Sequence, residues 1–249
     1  MTKFLQRLNQ LDKELNNDRI HKQVSEINNI VAYVDKKVPI EEAPEHLGFY
    51  PDEVEELIYS IGVDKKAQIN AMNHLLNSVR QFLSLKYGIW SLPNLKTAKL
   101  ISETFNVKSV LEIMAGNAYW SKTFQEVGVE AIATDSLEWA KTSTTGRDYF
   151  TKVEDLDAVS AIKRYRDIDL IICSWSPNFG HSDLDVVNAW KDYSHHSKLL
   201  FIGEKEGATN SPEFWQQMNF VSSKEMKKIN HSFESYDFID EKVYEIEKI

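Results

Sequence analysis

Glu112, Gly116 and Asp135 lie within VLEIMAGNAYWSKTFQEVGVEAIATD, and their types and spacing suit a nucleotide-like ligand. An apolar run that ends on a carboxylate and turns at a glycine lets the backbone come close to a ligand, and the helix that follows offers free N–H groups to an oxygen. Asp135 follows Gly116 by nineteen positions. That is close to the roughly 20-residue interval at which a carboxylate at the end of the next strand meets ribose hydroxyls. A carboxylate suits the task because it can accept from both hydroxyls.

A second group of candidates follows a later apolar run, in IDLIICSWSPNFGHSDLD. His181 is the residue best suited to general-base work, since an imidazole titrates near neutral pH and could take a proton from a hydroxyl or an amine; the alternative is a loop histidine capping the next helix. Glu204, at the end of KLLFIGE, is a second candidate base, and Trp175 could supply an apolar or cation-binding wall. His195 and His196 precede a strand on the opposite edge and read as solvent-facing. No spacing of His, Cys, Asp and Glu suggests a metal site.

The elements that must position these residues are legible from periodicity. Up to about Tyr87 apolar residues recur at three and four residue steps: Phe4, Leu5, Leu8, Leu11 and Leu15, then Ile20, Val24, Ile27, Ile30, Val31 and Val34. PDEVEELIYSIG reads as a helix from Pro51 to Gly62, and AQINAMNHLLNSVRQFLSLKYG as one longer helix. IEEAPEHLGFYPDEVEELIYSIG has the rhythm of a helix-turn-helix, but its second helix carries Asp52, Glu53, Glu55 and Glu56, which phosphates would repel. From Leu92 helices alternate with short apolar strands: SVLEIM, EAIATD, IDLIICSW and KLLFIGE are the strands. Such runs mark a parallel sheet covered on both faces. MKKINH and KVYEIEKI suit a closing hairpin.

VLEIMAGNAYWSKTFQEVGVEAIATD resembles the first two motifs of class I S-adenosylmethionine-dependent methyltransferases. YGIWSLPN, SWSPN and FIGEKEGATNSPEFW are similar to segments of one poorly characterised methyltransferase-like family, over about residues 86–249. The usual motif has glycine where this chain has Met114 and Ala118, and the family's loop more often reads Trp-Pro-Pro-Tyr where this chain has Trp175, Ser176, Pro177 and Asn178. The resemblance implies an α/β fold: a Rossmann-like, doubly wound, mostly parallel sheet with an antiparallel closing strand over residues 89–249; the α-helical N-terminal domain over residues 1–88, read from periodicity, lies outside it. It implies S-adenosylmethionine as cofactor. Glu112, Ala115, Gly116 and Asn117 would then border its methionine part, Asp135 its ribose, and Ser136 and Leu137 its adenine, with Asp155 or Glu154 near the adenine amino group. Ser174 and Trp175 would lie beside the methyl group, and Tyr87 and Trp90 would either line the entrance or pack the two regions together.

Composition bounds the alternatives. The net charge of -9 repels a phosphate backbone, which disfavours nucleic acid as a partner. The single Cys173 excludes an intrachain disulfide, and MTKFLQRLNQLDKELNND has no apolar core of signal-peptide type. No stretch approaches the roughly 18 apolar residues of a membrane span, so the expectation is a soluble, cytoplasmic protein. Three readings follow. The first is a methyltransferase acting on a small-molecule or protein acceptor; the second is a nucleic-acid methyltransferase; the third is a non-catalytic scaffold on a degenerate fold, which a cleft filled by Met114 would favour. The oligomeric state is not legible.

Overall fold

The computed structural model describes residues 2–143, 145–194 and 196–248, so His195 lies outside the described residues. The apolar stripes near the start become α1 (Lys3–Leu15) and α2 (Asp18–Asp35), capped by the side chains of Thr2 and Asn17. They pack with α3 (Pro51–Ile61), α4 (Lys66–Leu76) and α5 (Val79–Tyr87) around a core that includes Leu8, Leu11, Ile27, Leu57, Met72 and Leu83.

Two expectations for this region fail for local reasons. The single helix expected over AQINAMNHLLNSVRQFLSLKYG breaks at Asn77 and Ser78 into α4 and α5. There Asn77 Nδ2 donates to the Asn73 carbonyl at 2.9 Å and Ser78 Oγ to the His74 carbonyl at 2.7 Å, so side chains compete for the acceptors that helical N–H groups use. The short helix expected ahead of Pro51 is absent, and residues 41–50 run without helix. Gln23 pins this segment to α2 by bonding both the N–H and the carbonyl of Gly48, whose φ of 94° no helix contains.

Beyond Gly88 the chain alternates as expected. In order come α6 (Leu95–Phe105), β1 (Ser109–Ile113), α7 (Tyr119–Glu126), β2 (Glu130–Asp135), α8 (Glu138–Thr142), β3 (Val153–Asp155), α9 (Ala158–Arg164), β4 (Leu170–Ser174), α10 (Ser182–Tyr193), β5 (Lys198–Glu204), α11 (Pro212–Gln217), α12 (Lys224–Ser232) and β6 (Glu241–Glu245). The sheet order is β3-β2-β1-β4-β5-β6. Every pairing is parallel except that of β5 with β6. The expected closing hairpin is therefore half right: β6 forms, but MKKINH lies in α12. Ser223 caps that helix, and Met226 and Ile229, three residues apart, are both buried, a helical and not an alternating pattern.

Side chains alternate across the central strands. Leu111, Ile113, Ile171, Cys173, Leu199 and Phe201 face α9, α10 and α11. Val110, Leu170, Ile172, Leu200 and Ile202 face α6, α7 and α12. Glu112 shares the parity of Val110, which carries its carboxylate under α7, where it is buried.

One buried cation joins the first five helices to the end of the chain. Arg80, on α5, donates from Nε to Asp237 at 2.7 Å, and from Nη1 to Glu241 at 2.7 Å and to the Trp90 carbonyl at 2.6 Å. All three charged side chains are buried. Burial by itself would lower the Arg80 pKa, but Glu241, Tyr236 and Asp237 outweigh it and the pKa is raised. Removing one partner of such a group leaves the others charged and unpaired. Arg80→Ala is therefore expected to cost about 3–5 kcal/mol in urea unfolding; a loss below about 1 kcal/mol would show that Asp237 and Glu241 need no counter-charge.

Candidate cofactor and acceptor cleft

The sheet order reverses between β1 and β4, and at a reversal the loops leaving the carboxyl ends of the strands diverge and leave a crevice. A cavity of about 800 Å³ opens there. Its wall includes Glu112, Met114, Ala115, Gly116 and Asn117 after β1, Asp135 and Ser136 after β2, and Ser174 and Trp175 after β4. Of the residues singled out from sequence, Glu112, Ala115, Gly116, Asn117, Asp135, Ser136, Ser174 and Trp175 thus surround one space, together with Trp90.

The turn after β1 keeps the backbone form of a glycine-rich loop without the glycines. Met114, Gly116 and Ala118 have φ of 50°, 51° and 59°, all left-handed. For Met and Ala that conformation costs about 1–2 kcal/mol each. Contacts from outside hold it. Asp135 Oδ2 accepts from the Gly116 N–H at 2.9 Å, the Ala115 N–H donates to the Thr134 carbonyl at 3.0 Å, and the Phe150 N–H donates to the Asn117 carbonyl at 2.9 Å. Asn117 Nδ2 also donates to the Tyr87 and Asp148 carbonyls. A Cβ on Gly116 would meet nothing within 4 Å, so this turn faces open space. Met114 does not fill the cleft: its sulfur lies 3.9 Å from both Cys173 Sγ and Ser176 Oγ, against the end of β4.

Electrostatics distinguishes the two carboxylates. Asp135 Oδ1 accepts from the Leu137 N–H at 2.7 Å, so each of its oxygens takes one backbone bond and keeps capacity for a further donor. Glu112 accepts from the Ser121 N–H at 2.7 Å and is otherwise enclosed. Burial pushes its pKa up to about 7, against the opposing pull of the Ser121 hydrogen bonds and with help from Asp135.

The remaining candidates lie elsewhere. Leu137 is the left-handed residue ahead of α8 and is not part of the cavity wall, while Asp155 ends β3, exposed and also outside it. Glu154 accepts from the Tyr165 hydroxyl at 2.7 Å. His181 stands exposed at the N-cap of α10 without a side-chain capping bond, and neither it nor Asn178 reaches the cavity. Glu204 accepts from the Ala208 N–H at 2.8 Å and the Asp240 N–H at 3.2 Å, bracing the loop after β5. His196 is exposed.

Sequence reasoning missed Trp139, Asp157, Ala158, Val159, Phe179 and Asp185, all on the wall. Asp157 carried a usable signal, since an Asp just before AVSAIKR is a helix cap; its Oδ1 accepts from the Ser160 N–H at 3.0 Å. Those Ser160 bonds hold its carboxyl below the usual range. Trp90, foreseen at the entrance, stacks on Trp175 with ring centroids 5.4 Å apart. Trp175 Nε1 donates to Glu241 Oε1 at 2.7 Å, and the Arg80 guanidinium lies 5.1 Å from its ring.

The resemblance implied a doubly wound, mostly parallel sheet closed by an antiparallel strand, and the order β3-β2-β1-β4-β5-β6, with only β6 reversed, matches it. The chain has the class I methyltransferase fold. No family model matches the sequence and no curated protein is similar to it. Among solved structures, the ribosomal protein L11 methylase of Lactobacillus delbrueckii subsp. bulgaricus aligns with 62% of this chain and 76% of its own at 12% identity and a TM-score of 0.38. An rRNA methylase from Streptococcus thermophilus aligns over 62% and 95% at 14% identity and 0.38. Magnesium protoporphyrin IX methyltransferase from Synechocystis PCC 6803, solved with bound S-adenosylmethionine, aligns over 61% and 75% at 12% identity and 0.37. The fold stands on strand order and direction, and likenesses this remote carry no further weight.

Two outcomes follow for this methyltransferase-fold cleft. Ala118→Gly relieves the left-handed strain while adding chain entropy to the unfolded state, so its unfolding free energy should stay within about 1 kcal/mol of the parent or rise; a larger loss would mean the alanine methyl is needed for packing. The raised Glu112 pKa makes the folded state the tighter proton binder, so its contribution is full below the ordinary value of 4.5 and is lost as pH rises through about 7. At about 1.4 kcal/mol per pH unit, that interval amounts to about 3–4 kcal/mol at most. Glu112→Gln, which keeps an acceptor for Ser121, should flatten the fall in urea-unfolding stability between pH 5 and pH 8, taken as about 5 and about 8 in buffered titrations; an unchanged slope would assign that fall to other groups.

Proposed function

We propose that this protein is an S-adenosylmethionine-dependent methyltransferase that transfers a methyl group to a small-molecule or protein acceptor. The observation that carries the reading is the placement of Asp135 across the open turn at Gly116, at one end of a cavity that continues to Ser174 and Trp175. A cavity of about 800 Å³ is of the size that takes drug-sized and cofactor-sized ligands.

The residues present fit the cofactor. Asp135 has acceptor capacity left for two ribose hydroxyls, and Ala158 and Val159 with the Trp139 ring offer apolar surface to an adenine, with Asp157 near its amino edge. Asn117 is buried and its Oδ1 has no protein partner among the described residues, so it can accept from the ammonium of the methionine part. Bound S-adenosylmethionine supplies a methyl carbon already activated on a sulfonium. The chain has then to hold the acceptor in line and keep water out, which asks for walls more than for acids and bases. Trp175 and Trp90 are such walls, and Ser174 Oγ, buried without a protein partner among the described residues, can hold the acceptor by one hydrogen bond. The helices over residues 1–88 act in this reading as the unit that closes the cleft, through Arg80 and the Gly88–Ser91 segment. The open cleft and the preserved left-handed turn weigh against a scaffold that has lost its ligand.

Calorimetric titration with S-adenosylhomocysteine should give binding in the micromolar range, weakened at least about tenfold in Asp135→Ala. Equal affinity of parent and variant would remove Asp135 from the ribose site, and no binding by the parent would remove the cofactor.

A further inference from the structure

The charge on the cleft wall is one-sided. Among the described residues that line it there is no lysine, arginine or histidine, whereas Glu112, Asp135, Glu138, Asp157 and Asp185 all contribute carboxylates. Their engagements differ. Glu112, Asp135 and Asp157 accept backbone N–H groups at the cofactor end, and Glu138 pairs with Lys141 at 2.5 Å. Asp185, exposed in the first turn of α10, has no ion pair among the described residues and lines the cavity with Phe179 and Trp175, which precede it in the same loop and helix start.

The lining there is aromatic, and Trp175 is held firmly. Trp175 has a φ of 56°, a left-handed conformation a bulky residue holds only when its surroundings fix it. Glu241, Trp90 and Arg80 fix it by the contacts given above. The Arg80 charge is offset by Asp237 and Glu241 and offers no free cation to a ligand. The α10 N-terminus opens here and would favour an anion, but Asp183 and Asp185 in its first turn oppose that field. Trp90 is 46% exposed and Phe179 77%, so aromatic surface is open at the rim. Ser174 Oγ adds a buried polar atom with no protein partner among the described residues.

We infer that the space bounded by Trp90, Trp175, Phe179 and Asp185 is an acceptor subsite for an organic cation with a flat apolar body, an arylalkylamine or a heterocyclic base, and that it rejects anionic acceptors. The inference rests on the methyltransferase reading for the word acceptor, and on wall chemistry for the rest. Aromatic faces and an unpaired carboxylate attract an ammonium group. A phosphate or carboxylate would have to enter a wall with no cationic side chain among its described residues, so phosphorylated acceptors and nucleic acid are disfavoured by the site itself as well as by net charge.

Three indole probes of one skeleton separate charge from shape: tryptamine, 3-methylindole and indole-3-acetate. Each is titrated into the full chain loaded with S-adenosylhomocysteine, at about 0.3 M salt, where the screening length of about 6 Å suppresses the field of the whole protein. The expected result is tryptamine tightest, at least about tenfold over indole-3-acetate, with 3-methylindole between. Asp185→Asn should cut that ratio at least about threefold, while Glu55→Gln, an exposed charge on α3, should leave it unchanged. Equal or reversed affinities, binding of no probe, or equal effects of the two variants would overturn the inference. If S-adenosylhomocysteine itself does not bind, the methyltransferase reading fails separately, and the probe ratio, measured on the ligand-free protein, still decides the cation preference.

Discussion

A guanidinium taken out of water must keep its carboxylates, and Arg80 keeps two, Asp237 just before β6 and Glu241 at its first residue. Such a triad need not add net stability, because desolvation of three charges opposes their attraction. What it does here is fix geometry. Arg80 belongs to α5, Asp237 and Glu241 to the last segment of the chain, and the Trp90 carbonyl to the link between the helices and the sheet. Glu241 also accepts from Trp175, whose indole forms the far wall of the cleft. The shape of this end of the cleft therefore depends on the same charges that hold the helices to the sheet.

The near end of the cleft shows how a glycine-poor turn keeps a glycine-rich shape. Left-handed backbone at Met114 and Ala118 carries a penalty that glycine would avoid. The penalty is tolerated because Asp135, Thr134, Phe150 and the Tyr87 and Asp148 carbonyls each bond the turn from outside it, so that many contacts determine a conformation local preference opposes. Strain of this kind recurs at Leu137 and Trp175, and these residues all follow a strand at the carboxyl edge of the sheet.

Much of this was legible in the sequence because burial on both faces writes itself into a strand. SVLEIM, EAIATD, IDLIICSW and KLLFIGE became β1, β2, β4 and β5, and the interval from Gly116 to Asp135 placed two partners within hydrogen-bonding distance. What was not legible depends on side chains competing with backbone or on contacts distant in sequence. The break between α4 and α5 comes from Asn77 and Ser78 bonding backwards, and the unwound stretch before Pro51 from Gln23 reaching across to Gly48. Glu204 and His181 end in plausible places by strand count, yet one braces a loop and the other faces solvent. Asp157, which lines the cavity, was not singled out while Asp155 nearby was, because β3 is only three residues long and gives almost no periodic signal.

The most direct test of the cleft is a crystal structure of the chain grown with S-adenosylhomocysteine. The account predicts the ribose hydroxyls on the Asp135 carboxylate, the adenine against Ala158 and Val159, and the sulfur turned toward Ser174. A ligand bound outside this cleft, or a Met114 side chain folded into the ribose position with the ligand excluded, would contradict it.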